Sequence, residues 1–166
     1  MGDPAGIGPE IIAKVFDAGE LFSLCRPVII GHGGVMKKIV GDLRLAVSIR
    51  SLENIAEADP APGNADVVSI GTMDLASHTW GRPTAASGKA VVGYIQLATE
   101  LALQRKVDAI VTAPINKEMM NAAGYEFSGH TELLAHLTDT RNYGMLFVGG
   151  GLRLILATIH HALKDV

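Results

Sequence analysis

Pro27-Val28-Ile29-Ile30-Gly31-His32-Gly33-Gly34-Val35-Met36-Lys37-Lys38-Ile39-Val40 sets the class of fold. Three β-branched residues in succession suit a buried strand, the Gly-His-Gly-Gly cluster ends it, and Val35, Met36, Ile39 and Val40 then recur at helical spacing. Strand, turn and helix in that order form one βα step. Upstream, Pro9 suits the start of a helix carried by Ile11, Ile12, Val15 and Phe16 and ended by Gly19. Downstream, residues 45–49 and 65–70 read as strands separated by Pro60-Ala61-Pro62-Gly63. A long helix is expected over residues 87–106, with Val91, Tyr94, Ile95, Ala98, Leu101 and Ala102 along one face. Residues 109–112 follow as a buried-type strand stopped by Pro114, and Asn116 can cap a helix over residues 117–123 that ends at Gly124. Residues 144–148 and 152–157 flank three glycines and read as an antiparallel hairpin. Alternating βα units with one hairpin predict an α/β fold with a mixed sheet and flanking helices. No repeat or linker divides residues 1–166, so a single unit is expected.

Composition excludes several function classes. The 166 residues are 48% hydrophobic and 19% charged with a net charge of −3, which offers no basic field for nucleic acid or an anionic membrane. No apolar run is long enough to span a bilayer. A small-molecule partner and a cytoplasmic location are the expectation. Cys25, the single cysteine, forms no internal disulfide and reads as core packing. The opening glycine loop lacks a strand feeding it, and Leu163-Lys164-Asp165-Val166 stops in a starting helix, so a fragment of a longer chain is expected.

Four segments hold the residues that could carry chemistry. Gly2-Asp3-Pro4-Ala5-Gly6-Ile7-Gly8-Pro9-Glu10 leads into a helix N-terminus, where free N–H groups favour an anion, although the same pattern fits a rigid turn. It is neither a Walker A loop nor a dinucleotide GxGxxG. Ser128-Gly129-His130-Thr131-Glu132 puts His130 and Thr131 at a helix start, where an imidazole and a hydroxyl can grip an acidic substrate or merely accompany a cap. His136 lies too far round that helix to share the face of His130 and reads as a surface or packing residue. Thr158-Ile159-His160-His161 leaves the end of a hydrophobic run. Neighbours there point to opposite faces, so only one of the two histidines is a metal-ligand candidate. Lys117 stands in the first turn of its helix, where the dipole disfavours a cation, which makes it a possible anion contact.

Together these segments resemble the 4-hydroxythreonine-4-phosphate dehydrogenase family of pyridoxal phosphate biosynthesis and its relatives acting on phosphorylated threonate or erythronate. Residues 1–10 look like the family's opening loop, Val111-Thr112-Ala113-Pro114-Ile115-Asn116-Lys117 like its central strand-to-helix motif, Phe127-Ser128-Gly129-His130-Thr131-Glu132 like its substrate loop, and Ala157-Thr158-Ile159-His160 like its first metal-ligand motif. The resemblance implies that His130 and Thr131 bind substrate and that His160 ligates a divalent metal such as zinc, magnesium or cobalt. It further implies an isocitrate/isopropylmalate-dehydrogenase-like fold and a homodimer. NAD or NADP would oxidise a phosphorylated hydroxy acid, which then loses carbon dioxide. Family chains are about twice this long, so residues 1–166 would be the N-terminal half of a two-lobed enzyme, with the other metal histidines and most of the cofactor site in the second half. His161-Ala162-Leu163 departs from the aliphatic residue and proline usual after the metal ligand, which leans the expected substrate toward a sugar-acid phosphate. Other readings are a non-catalytic fragment or binding module and an acyl or phosphoryl transferase on a similar fold.

Overall fold

The computed structural model describes residues 1–158 and Lys164. Helix α1, Gly8–Ala18, starts with Pro9 in its first turn and ends at Gly19, whose φ of 74° is the left-handed conformation that glycine adopts without a Cβ clash. The decisive βα step is present as β1, Ile29–Gly31, followed directly by α2, Gly33–Leu43. Then come β2, Ser48–Leu52, β3, Asn64–Ser69, and the long helix α3, Ala85–Leu103. Strands β1, β3 and β2 form a parallel sheet with β3 in the centre. Ala65, Asp66, Val67 and Val68 of β3 are buried in succession, as expected of a strand covered on both faces.

Helix α3 begins two residues ahead of the expected start because Thr84 and Ser87 form a reciprocal cap. The Ser87 amide donates to Thr84 Oγ1 at 3.2 Å and the Thr84 amide to Ser87 Oγ at 3.0 Å. Two clusters meet on this helix. Tyr94 joins the sheet core of Phe16, Ile29, Val35, Met36, Ile39 and Val67, while Val91, Val92 and Ile95 pack with Met120 and Leu133 of the following helices. Full burial of side chains such as Met36, Met120 and Leu133 contributes roughly 1.5–3 kcal/mol each. Gly88 permits the close approach: a Cβ there would overlap the Met119 carbonyl of the next helix. That helix is α4, Lys117–Ala122, capped by Asn116, whose Oδ1 accepts from the Met119 amide at 3.0 Å. Helix α5, His130–Leu137, and the antiparallel pair β4, Leu146–Gly149, and β5, Leu152–Ile155, complete the described elements.

Four expectations need correction. Residues 109–112 form no strand: they lie open, with Val111 94% exposed, because no described strand reaches them to pair. The parallel and antiparallel pairings do not share one mixed sheet but lie in two separate sheets among the described residues. Cys25 is exposed, its Sγ 3.7 Å from the Leu21 carbonyl at the end of a 3-10 turn, and packs in no core. The second strand also falls three residues late. Arg44 takes a left-handed turn after α2, and Arg50, within β2, is drawn to the fully buried Asp66, with Nε 2.8 Å from Oδ1. No described helix is long and apolar enough to cross a membrane.

Candidate functional site

His130 is the first residue of α5. Its preceding residue, Gly129, provides no side-chain cap, so the first-turn amides have no partner from the capping position. The imidazole hydrogen-bonds to the Ala113 backbone, which an N–H donor on the ring does by reaching the carbonyl. Burial holds the His130 pKa below its ordinary value, and the positive charges of the terminal amine and Lys117 act in the same direction, with only the Ala113 bond opposing them. His130 is therefore a neutral ring near neutral pH. A neutral imidazole offers one nitrogen that donates and one that accepts.

Thr131 follows, half-buried, in the same turn. Lys117 opens α4 and folds over Gly129: a Cβ built on that glycine would stand 3.5 Å from Lys117 Cε, 3.8 Å from its Nζ and 3.6 Å from Glu132 Oε2. Among the described residues the ammonium makes no ion pair. An exposed cation beside an uncapped helix start and a neutral imidazole can hold an acidic group and orient a neighbouring hydroxyl. His130, Thr131 and Lys117 are thus brought together. His136 is exposed on the far side of α5, its ring 5.4 Å from that of Phe127, in keeping with a surface or packing role.

The opening loop settles into the rigid turn. Asp3 Oδ1 accepts from the Ala5 amide at 2.8 Å, the Asp3 carbonyl from Gly6 at 3.0 Å, and the Asp3 amide donates to the Pro114 carbonyl at 2.9 Å. These bonds spend the amides of Asp3, Ala5 and Gly6 internally and leave the Asp3 carboxylate 3% exposed in their midst. Gly2 presses on Ala113 and Pro114 so closely that a Cβ would strike the Pro114 carbonyl. The loop thus buttresses the segment that holds His130. Beneath it, burial and the Asp3 charge raise the Tyr94 pKa, and its hydroxyl is buried without a partner.

His160 and His161, the metal-ligand candidate and its neighbour, lie outside the described residues. Among the described residues no three His, Cys, Asp or Glu side chains converge as a metal site. Sequence reasoning missed the Ala113 carbonyl and Gly129 as site elements. The signal for Gly129 was its place directly before the helix, where an added Cβ would make ordinary contact with Lys117 Cε at 3.5 Å.

Residues 23–166 match the family model described as pyridoxal phosphate biosynthetic protein PdxA. The chain belongs to the PdxA family. A 4-hydroxythreonine-4-phosphate dehydrogenase from Desulforapulum autotrophicum is 40% identical over the whole chain, which spans 49% of that relative. A protein of Halalkalibacterium halodurans provisionally named a D-threonate 4-phosphate dehydrogenase is 39% identical over 99% of the chain and 49% of its own length. The crystal structure of a 4-hydroxythreonine-4-phosphate dehydrogenase from Burkholderia phymatum superposes with a TM-score of 0.92 at 36% identity, covering 99% of this chain and 50% of that one. The PdxA-family chain therefore spans about half the length of the relatives it matches, and its α/β architecture of parallel sheet and helices is theirs.

Proposed function

We propose that residues 1–166 form the N-terminal half of a two-lobed, isocitrate-dehydrogenase-like enzyme that oxidises and decarboxylates 4-phosphooxy-L-threonine in pyridoxal phosphate biosynthesis. The observation that carries this reading is the convergence of His130, Thr131 and Lys117 at the start of α5, in a chain whose relatives are named dehydrogenases of phosphorylated hydroxy acids. A more distant solved relative, a terephthalate 1,2-cis-dihydrodiol dehydrogenase from Burkholderia xenovorans at 26% identity and TM-score 0.69, also has a name that denotes alcohol oxidation. NAD or NADP would accept the hydride, and a divalent ion (zinc, magnesium or cobalt) held in part by His160 would polarise the substrate's alcohol oxygen. The described residues bind and orient. The Lys117 ammonium attracts an acidic group, the free His130 nitrogen accepts from a substrate hydroxyl, and the Thr131 hydroxyl donates beside it. The working enzyme would be a cytoplasmic homodimer.

A phosphorylated D-threonate or D-erythronate is the second candidate substrate, favoured by the names of several relatives and by His161-Ala162 after the proposed metal ligand. Steady-state NAD(P) reduction by the full-length protein with each phosphorylated acid tests the choice. Lys117→Met is expected to raise KM for the preferred acid about tenfold, the usual scale for losing one charge-assisted contact. Unchanged KM removes Lys117 from the site, and no reduction of either nucleotide with any of the three acids rejects the dehydrogenase reading.

A further inference from the structure

Residues 70–84 connect β3 to α3 without regular secondary structure, and two of them donate to consecutive carbonyls of the opening loop. His78 Nε2 lies 3.0 Å from the Pro4 carbonyl, and the Gly81 amide lies 2.8 Å from that of Ala5. Only an N–H can bond to a carbonyl, so His78 Nε2 carries the proton, while Nδ1 is buried without a partner. The His78 ring stands edge-on to Trp80, with centroids 4.5 Å apart and planes at 86°. Trp80 is in turn fastened to α2: its Nε1 donates to Asp42 Oδ2 at 2.8 Å, and Lys38 Nζ, itself 3.0 Å from that carboxylate, lies 5.6 Å from the ring centroid. The segment is thus a strap anchored on α2 and tied to the loop.

On its other side the loop grips the site. The Asp3 amide holds the Pro114 carbonyl at 2.9 Å, Gly2 packs against Ala113, and Ala113 is the backbone partner of the His130 ring. Pro4 and Ala5 are buried, so water does not readily replace a lost donor at their carbonyls, and the loop must shift to satisfy them. Any such shift is passed to residues 113 and 114, because Gly2 leaves no slack between them.

We propose that His78 is a positioning residue for His130, acting through the opening loop and the Ala113 carbonyl. The proposal rests on the reading of His130 as a substrate-binding residue. The strap, rather than the sheet, then sets where the imidazole points.

The test uses the full-length protein with 13Cε1-labelled histidine, the His130 resonance being identified by its loss in His130→Asn. His78→Phe keeps an aromatic ring against Trp80 and removes the donor, whereas His78→Gln retains an N–H that can reach Pro4. In His78→Phe the His130 resonance is expected to move and KM for the phosphorylated acid to rise about tenfold with kcat within about twofold. His78→Gln should return both toward the parent values. A His130 resonance unmoved by His78→Phe overturns the proposal, as does one displaced equally by His78→Gln. Should His78→Phe fail to fold, Trp80→Phe, which cuts the tether to Asp42, must move the His130 resonance, and no movement again overturns it. Because the resonance reports without turnover, a failed dehydrogenase assay leaves this test intact.

Discussion

At the scale of single residues, the His130 imidazole carries a pH signature. Its pKa in the folded protein is lowered, chiefly by burial, whereas the unfolded chain titrates near the ordinary value of about 6.5. As pH falls through that value the unfolded state takes up the proton first, so stability is complete above it and declines until the folded pKa is reached. His32, the cap of α2, has the same sign, lowered by burial and by His78. Thermal unfolding of wild type and His130→Asn at pH 7.5 and 5.5 checks this. The variant is expected to lose less stability on acidification, and an equal loss would show that His130 is not held neutral by the fold. Much of this residue-level site was legible. His130 at a helix start and Asn116 as a cap both follow from local chemistry. The partner of the imidazole was not, because Ala113 and His130 meet only through tertiary approach.

At the scale of elements, the junction of α3 and α4 is set by one absent side chain. Gly88 sits where a methyl group would overlap the Met119 carbonyl and come within 2.7 Å of the Met120 amide. Gly88→Ala should improve helix propensity slightly yet destabilise the protein by about 1–3 kcal/mol through overpacking, read as a lower denaturation midpoint at unchanged m. An equal or higher midpoint would mean that α4 yields freely, and Lys117 with it. Elements whose signal is local were read well: β1, α2, α4 and the β4–β5 hairpin fall close to where periodicity and glycine place them. Those governed by partners were not. Residues 45–49 are as β-prone as residues 48–52, but the Leu45 and Ala46 amides are committed to the Val40 carbonyl and Asp17, while Arg50 pairs with the buried Asp66. Residues 109–112 have a strand's composition and, among the described residues, no strand to join. The strap over the opening loop left no trace in the sequence, since nothing about His78 or Trp80 in isolation points to Pro4 or Asp42.

At the scale of the whole molecule, the β4–β5 hairpin stands out. Leu146, Val148 and Ile155 alternate with Phe147, Leu152 and Leu154, and all six are 44–68% exposed, so the ribbon shows apolar side chains on both faces. Two strands alone are marginal in water, and such a ribbon is stable when covered. The proposed homodimer supplies a cover. Val148→Lys with Ile155→Lys should lower the mass of the full-length protein in light scattering from dimer to monomer. A dimer persisting at micromolar concentration would assign the ribbon to a contact within one polypeptide.

The open stretch around Val111 has a practical corollary. Backbone groups that no described strand pairs, set beside β-branched side chains, are what growing fibrils recruit, and no lysine or proline interrupts residues 109–112. At high concentration the 166-residue chain would therefore be prone to clump by edge-to-edge accretion, and a charge placed at position 111 is the simplest gatekeeper against it.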